Sequence, residues 1–203
     1  MTANPPLLAF TDIEATGDDP RTDPNLEIAV VLVEWGPTLP EVERRSMVIR
    51  PPGSHADHDR LWARMIDPVR TMHRESGLWQ AATADTAWNP GDADAALQKW
   101  IRKHTDTLIP IAGAGVGHYD LPMLRQQMPR FHSLLTYWPW DVSDIRRGLQ
   151  LAGRHDYVDL DTDVKAKPHR AAADVDLHLA EARRYLAVLQ SLPAAPVRAT
   201  PAT

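Results

Sequence analysis

The sequence contains no cysteine. Disulfides, thiolate nucleophiles and cysteine-bound zinc are therefore excluded. That absence fits a reducing compartment, and a cytoplasmic protein is the expectation. Long hydrophobic runs are missing as well. No segment approaches bilayer-spanning length, and Leu7 to Phe10 is too short for the core of a signal peptide, so no membrane is expected as a partner. An excess of positive charge is lacking too. Lys and Arg number 22 against 27 Asp and Glu, for a formal net charge of −5. Binding of nucleic acid by bulk electrostatics is disfavoured, whereas a local basic groove around an acidic, metal-loaded centre remains compatible. Phenylalanine (2) and tyrosine (4) are scarce, and tryptophan (7) supplies most aromatic rings. Tryptophan more often fills cores and interfaces than stacks on bases.

What is present suits a globular enzyme-sized domain. The chain has 203 residues, 43% hydrophobic and 24% charged, ordinary values for one domain with a substantial core. Residues 1–192 read as a single domain. Residues 193–203, with Pro193, Pro196 and Pro201, read as a disordered tail.

The apolar run Leu7-Leu8-Ala9-Phe10 predicts a buried strand that continues into Thr11-Asp12-Ile13-Glu14. Asn25 to Val33 predicts a central strand, and Glu43 to Ile49 a third that closes an antiparallel meander. Asp59 to Met65 has room for a helical turn or two, and Asp67-Pro68 predicts the start of a short helix. Gly91 to His104 has the period of an amphipathic helix, with Asp92 as its cap. Leu108 to Ala112 predicts a strand running into Gly113, Gly115 and Gly117, whose spacing points to a close backbone approach. Helices are expected at Leu121 to Met128, at Ile145 to Leu151 behind a Ser143-Asp144 cap, and from Ala171 to Leu192. The fold class that follows is α/β: a mixed central sheet, with a β-β-β meander plus a further strand or strands, flanked by helices.

Asp12 and Glu14 are two apart on a strand, so both carboxylates point the same way. Adjacent like charges repel unless a cation lies between them, and hard divalent cations prefer oxygen ligands. Alone, Asp-x-Glu is usually just an acidic strand end. Further carboxylates stand at predicted element ends: Asp120 at a helix start, and Asp174 in the first turns of the last helix, five residues after His169. Such a set can hold two metal ions about 4 Å apart, with a histidine to take a proton from water.

Three stretches in this order resemble the motifs of the DEDD superfamily of 3′-to-5′ exonucleases, in its histidine-containing, DnaQ-like subclass with a ribonuclease H-like fold. They are Asp12-Ile13-Glu14-Ala15-Thr16-Gly17, Val116-Gly117-His118-Tyr119-Asp120 with Leu124, and His169-Arg170-Ala171-Ala172-Ala173-Asp174. Within it, His73-Arg74-Glu75-Ser76-Gly77-Leu78 and Asp141-Val142-Ser143 are similar to oligoribonuclease. Departures also stand out. Asp18 occupies the place of a base-wedging leucine, and Gly113-Ala114-Gly115 replaces a Gly-Asn-Ser loop. They favour a more general exonuclease on single-stranded DNA or RNA 3′ ends or short oligonucleotides.

The resemblance implies a mechanism. Asp12, Glu14, Asp120 and Asp174 would bind two divalent ions, Mg²⁺ or Mn²⁺. His169 would be the general base, and the product a nucleoside 5′-monophosphate. Ala15, Thr16, His73 and Ser76 are the implied substrate contacts. Lys165, Lys167 and Arg170 cluster by the histidine and could meet phosphates. Two alternatives stand beside this reading: a non-catalytic nucleic-acid-binding or polymerase-accessory module, and a strict hydrolase of dinucleotides. Relatives of the oligoribonuclease type also raise the expectation of a homodimer.

Overall fold

In the computed structural model, residues 5–154 and 169–191 are described. Lys165, Lys167 and the tail from 193 lie outside them. Five strands form one sheet in the order β3-β2-β1-β4-β5. β1 (Leu7–Ala15), β2 (Asn25–Glu34) and β3 (Glu41–Val48) make an antiparallel meander. β4 (Ile111–Gly113) and β5 (Trp140–Asp141) continue the sheet in parallel on the other side of β1. This is the ribonuclease H-like arrangement expected from the sequence.

Burial explains the strand order. Nearly all of β2 is buried, which is why it reads as one unbroken apolar run rather than an alternation. β3 is an edge strand. Its exposed side chains include Glu41, Glu43 and Arg44, charges that discourage pairing with another chain.

Helices cover both faces. On one, α8 (Ala171–Ser191) presents Val175, Leu179 and Tyr185 to Leu8 and Phe10 of β1 and Val31 of β2. On the other, α4 (Pro90–Ile101) and α5 (Asp120–Gln127) pack Leu97, Trp100 and Met123 against Ala9, Ile13 and Ile28. Alternate residues of β1 thus enter opposite cores, as the pleat requires.

Several elements differ from the sequence reading. The turn or two near Asp59 is a full helix, α1 (His55–Arg64), started by a reciprocal Ser54–Asp57 capping box. α2 spans Asp67–Glu75, with Ile66 rather than Asp67 at its cap. Short helices α3 (Leu78–Ala82) and α6 (Pro129–His132) were not expected. α4 is capped at Asn89, because Pro90 at its first position already has the helical φ, and Asp92 falls within the first turn. α7 (Val142–Leu151) starts at Asp141, not at Ser143-Asp144. The strand expected from Leu108 begins only at Ile111, although Ile109 makes an isolated bridge to Leu135. The glycine spacing has a local cause. A Cβ on Gly113 would lie 2.7 Å from the carbonyl oxygen of Thr11, so β4 can approach β1 only without a side chain there.

Candidate active site

β1 enters the core apolar and leaves it acidic. Leu8 and Phe10 face α8, and the period of two carries Asp12 and Glu14 towards the same helix. A register shift follows directly, between Glu14 and Ala15. Bulges of this kind bend a strand and re-aim side chains, commonly beside functional sites. α8 answers with Asp174 and His178, both buried and spaced to share one face.

Glu14, His169 and Asp174 each offer a ligand atom, and the three atoms lie within 4.8 Å of one another. Asp12 Oδ1 is 3.8 Å from His178 Nδ1. Burial, then the charges of Asp12, Asp174 and Glu27, push the Glu14 carboxyl up to about 8, with a hydrogen bond to Asp174 adding to the effect. Without a cation this cluster holds a proton near neutrality; a divalent ion stabilises the same carboxylates in their charged form.

Asp120 opens α5 and is buried. Burial raises its pKa well above the carboxylate range, opposed by the N–H groups of Asp120 itself and of Ile13, with Glu14 and Asp141 as like-charged neighbours. Its Oδ1 is buried with no hydrogen-bond partner among the described residues. Close carboxylate oxygens, imidazole nitrogen and a buried carboxylate oxygen without a partner among the described residues make a set that fits divalent cations.

The implied substrate contacts divide into two pairs. Ala15 and Thr16 line a cleft of about 500 Å³ that starts at Glu14 and is walled by Met65, Ile66, Val69, Met72 and Tyr119. His73 and Ser76 do not line it. The His73 ring is wholly buried, and its Nε2 lies 2.8 Å from the Ala15 carbonyl oxygen, a brace beneath the end of β1. Ser76 Oγ is buried without a partner among the described residues. Tyr119 donates its hydroxyl to the Gly17 carbonyl at 3.1 Å, tying the turn after β1 to the start of α5.

Two residues, Glu27 and His178, escaped the sequence reading, and Asp141 was noted there only as part of a motif. Glu27 of β2 stands opposite Glu14. It accepts from Arg170 Nε (2.9 Å), Arg170 Nη2 (2.7 Å) and the Ala171 N–H (2.9 Å). Arg170 is thus committed to a carboxylate, not presented to phosphate as the sequence suggested. His178 was hidden by its neighbours; its spacing of four from Asp174 was the available signal. Asp141 Oδ1 accepts from Ser143 N, Ser143 Oγ and Gly115 N, so it both caps α7 and fixes the glycine-rich loop before Asp120. His169 itself has φ +48°, a left-handed conformation that costs a non-glycine residue about 1–3 kcal/mol.

No family model matches the sequence. Individual proteins do. The oligoribonuclease of Tropheryma whipplei is 32% identical over 182 residues, covering 89% of this chain and 92% of that protein. The oligoribonuclease of Streptomyces avermitilis is 30% identical over 181 residues, covering 88% and 84%. Among solved structures, E. coli exonuclease I with a dT13 oligonucleotide superposes with a TM-score of 0.66 at 18% identity over 91% of this chain. Its zinc-bound complex with single-stranded DNA gives 0.67 at 17% identity over 93%. The chain spans 43% and 42% of the length of these two exonuclease I chains, so that likeness concerns the fold. No helix among the described residues is long and apolar enough to cross a membrane. Shared identity over most of both lengths, on this sheet order, means that the chain belongs to the DnaQ-like, DEDDh-type family of 3′-5′ exonucleases that includes the oligoribonucleases.

Proposed function

We propose that the chain hydrolyses the terminal phosphodiester at 3′ ends of single-stranded or short nucleic acids and releases nucleoside 5′-monophosphates. The observation that carries this reading is the convergence of Glu14, His169 and Asp174 within 4.8 Å, from a strand and a helix entry far apart in sequence.

Asp12, Glu14, Asp120 and Asp174 would hold the two divalent ions. Bound Mg²⁺ or Mn²⁺ would supply charge for the scissile phosphate and the leaving 3′-oxygen and would make water more acidic. His169 takes the proton from the attacking water at a ring nitrogen. The water oxygen bonds to phosphorus as the bond to the 3′-oxygen breaks. Met65, Ile66, Val69 and Met72 form an apolar wall for bases beside Glu14. Ala15 and Thr16 offer the strand end at which the terminal nucleotide is held, and His73 and Ser76 support it from beneath.

The family membership and the full set of four carboxylates with His169 favour hydrolysis over a binding-only module. The test is digestion of matched, labelled DNA and RNA ladders with Mg²⁺ or Mn²⁺. Stepwise shortening from the 3′ end of oligomers supports the reading. Cleavage confined to dinucleotides would replace it with the narrower one, and a folded protein inert on every substrate would reject both. The homodimer expected from the oligoribonuclease resemblance is checked by sedimentation velocity; a single species at 22.7 kDa would exclude it.

A further inference from the structure

Glu27 has no part in the chemistry above, yet it is buried at the same end of the sheet, directly across from Glu14. Among the described residues, every donor it meets belongs to the two residues after His169: Arg170 with Nε and Nη2, and Ala171 with its N–H. The Arg170 carbonyl in turn accepts the first backbone bonds of α8, from Ala173 (2.9 Å) and Asp174 (3.0 Å). One carboxylate therefore pins the whole entry to the helix. A two-bond guanidinium–carboxylate fork fixes direction as well as distance, and a negative charge at a helix N-terminus is stabilised by the unpaired N–H groups there.

His169 is the residue just before this anchor. Its φ of +48° persists in a non-glycine residue only where the surroundings over-determine it. The same residue places a ring nitrogen within 4.8 Å of ligand atoms on Glu14 and Asp174. Asp174 lies in the first turn of α8, where its N–H bonds to the Arg170 carbonyl, but Val175 and Leu179 just beyond it pack the helix against the sheet, and Asp12 and Glu14 lie on β1 itself.

We propose that Glu27 and Arg170 act as a positioning pair for His169. Their fork holds the histidine in its left-handed turn and aims its ring at the carboxylates. Loss of the fork lets the histidine leave while Asp12, Glu14 and Asp174 stay in place. This rests on the reading of His169 as the base.

The test is a mutant cycle on a single-stranded oligonucleotide with Mn²⁺: wild type, Glu27→Gln, His169→Ala and the double variant, with Glu181→Gln as a control. Glu181 is also forked by an arginine, Arg146, but at a later turn of α8. Glu27→Gln is expected to lower kcat about 10–100-fold with KM nearly unchanged, the scale of a lost orienting partner. In the His169→Ala background the same substitution should cost less than about twofold, because its effect is already spent. Mn²⁺ binding without substrate, read by electron paramagnetic resonance, should stay within about threefold of wild type. In metal-free protein the His169 ring resonances should broaden or shift in Glu27→Gln and not in Glu181→Gln.

Wild-type kcat in Glu27→Gln overturns the proposal. So does an equal loss in both backgrounds when His169→Ala is itself slow, which leaves the base assignment standing. A fully active His169→Ala overturns the base assignment and the positioning pair together. If Glu27→Gln does not fold, Arg170→Lys carries the same cycle, since it keeps the charge and breaks the fork. A reduced kcat that vanishes as an effect in the His169→Ala background supports the pair, and full activity rejects it.

Discussion

Glu14 and Glu27 are the same residue type, paired across adjacent strands, and both are buried. Their surroundings are opposite. Glu14 faces Asp12 and Asp174 and is pushed up to about 8. Glu27 faces a guanidinium and a helix N–H. A buried carboxylate among its own kind is unstable until a cation arrives, whereas one already forked by arginine is satisfied and serves as a fastening. Role here follows the partner and not the position in the sheet. Glu181 repeats the second pattern farther along α8, where Arg146 Nε and Nη2 each lie 2.6 Å from its oxygens and the Tyr185 hydroxyl also donates to it.

The contrast breaks most sharply at Glu14. Glu14→Gln is expected to lower kcat by roughly 10³-fold or more, as for loss of a group acting directly on the reaction. The melting temperature of the metal-free protein should stay level or rise, because a repulsion has been removed. A variant both inactive and destabilised without metal would move Glu14 into the class of Glu27. Glu181→Gln should do the reverse. It weakens a charged pair on a buried carboxylate and is expected to cost about 1–3 kcal/mol in denaturant unfolding. Its kcat should remain within about twofold of wild type.

The smallest effect sharpens the electrostatic half of the comparison. In the folded, metal-free protein, burial and the neighbouring carboxylates push the Glu14 carboxyl up to about 8 from its ordinary 4.5. The folded state thus binds more protons than the unfolded chain in that window, and stability contributed by this group declines as pH rises through it. Thermal unfolding with chelator should show the decline between about pH 5 and 8. Saturating Mn²⁺ should cancel or reverse it, since the ion binds the charged form. In Glu14→Gln the decline should be smaller.

Much of the candidate site could be read from the chain because its carboxylates stand at element ends. Asp12 and Glu14 follow an apolar strand, Asp120 opens a helix and Asp174 lies in the first turn of another, so local pattern and chemistry coincide. Glu27 was not legible. Inside a β-branched run it looks like any polar strand residue, and its meaning depends on Arg170, 143 residues away. His178 stands among the apolar residues Val175, Leu179 and Ala182 that pack α8 against the sheet, and was passed over with them. α3 and α6 were missed since five and four residues are too few to display a period of 3.6. Pro90 and Asp141 shifted helix starts by one to three residues, because the actual first-turn chemistry, a fixed φ and a side-chain cap, outweighed the nominal best capping residue.

The pleat of β1 carries a consequence for how this sequence can change. Ala9 and Ile13 fill one core while Leu8 and Phe10 fill the other, and the acidic pair continues the second row. Deleting a single residue between Phe10 and Asp12 would exchange the two rows and drive both carboxylates into the layer that holds Leu97 and Trp100. Removing two would restore parity at the expense of length. Descendants of this chain can therefore vary the loops around the cleft freely, but the stretch from Leu8 to Glu14 can be rewritten only letter for letter.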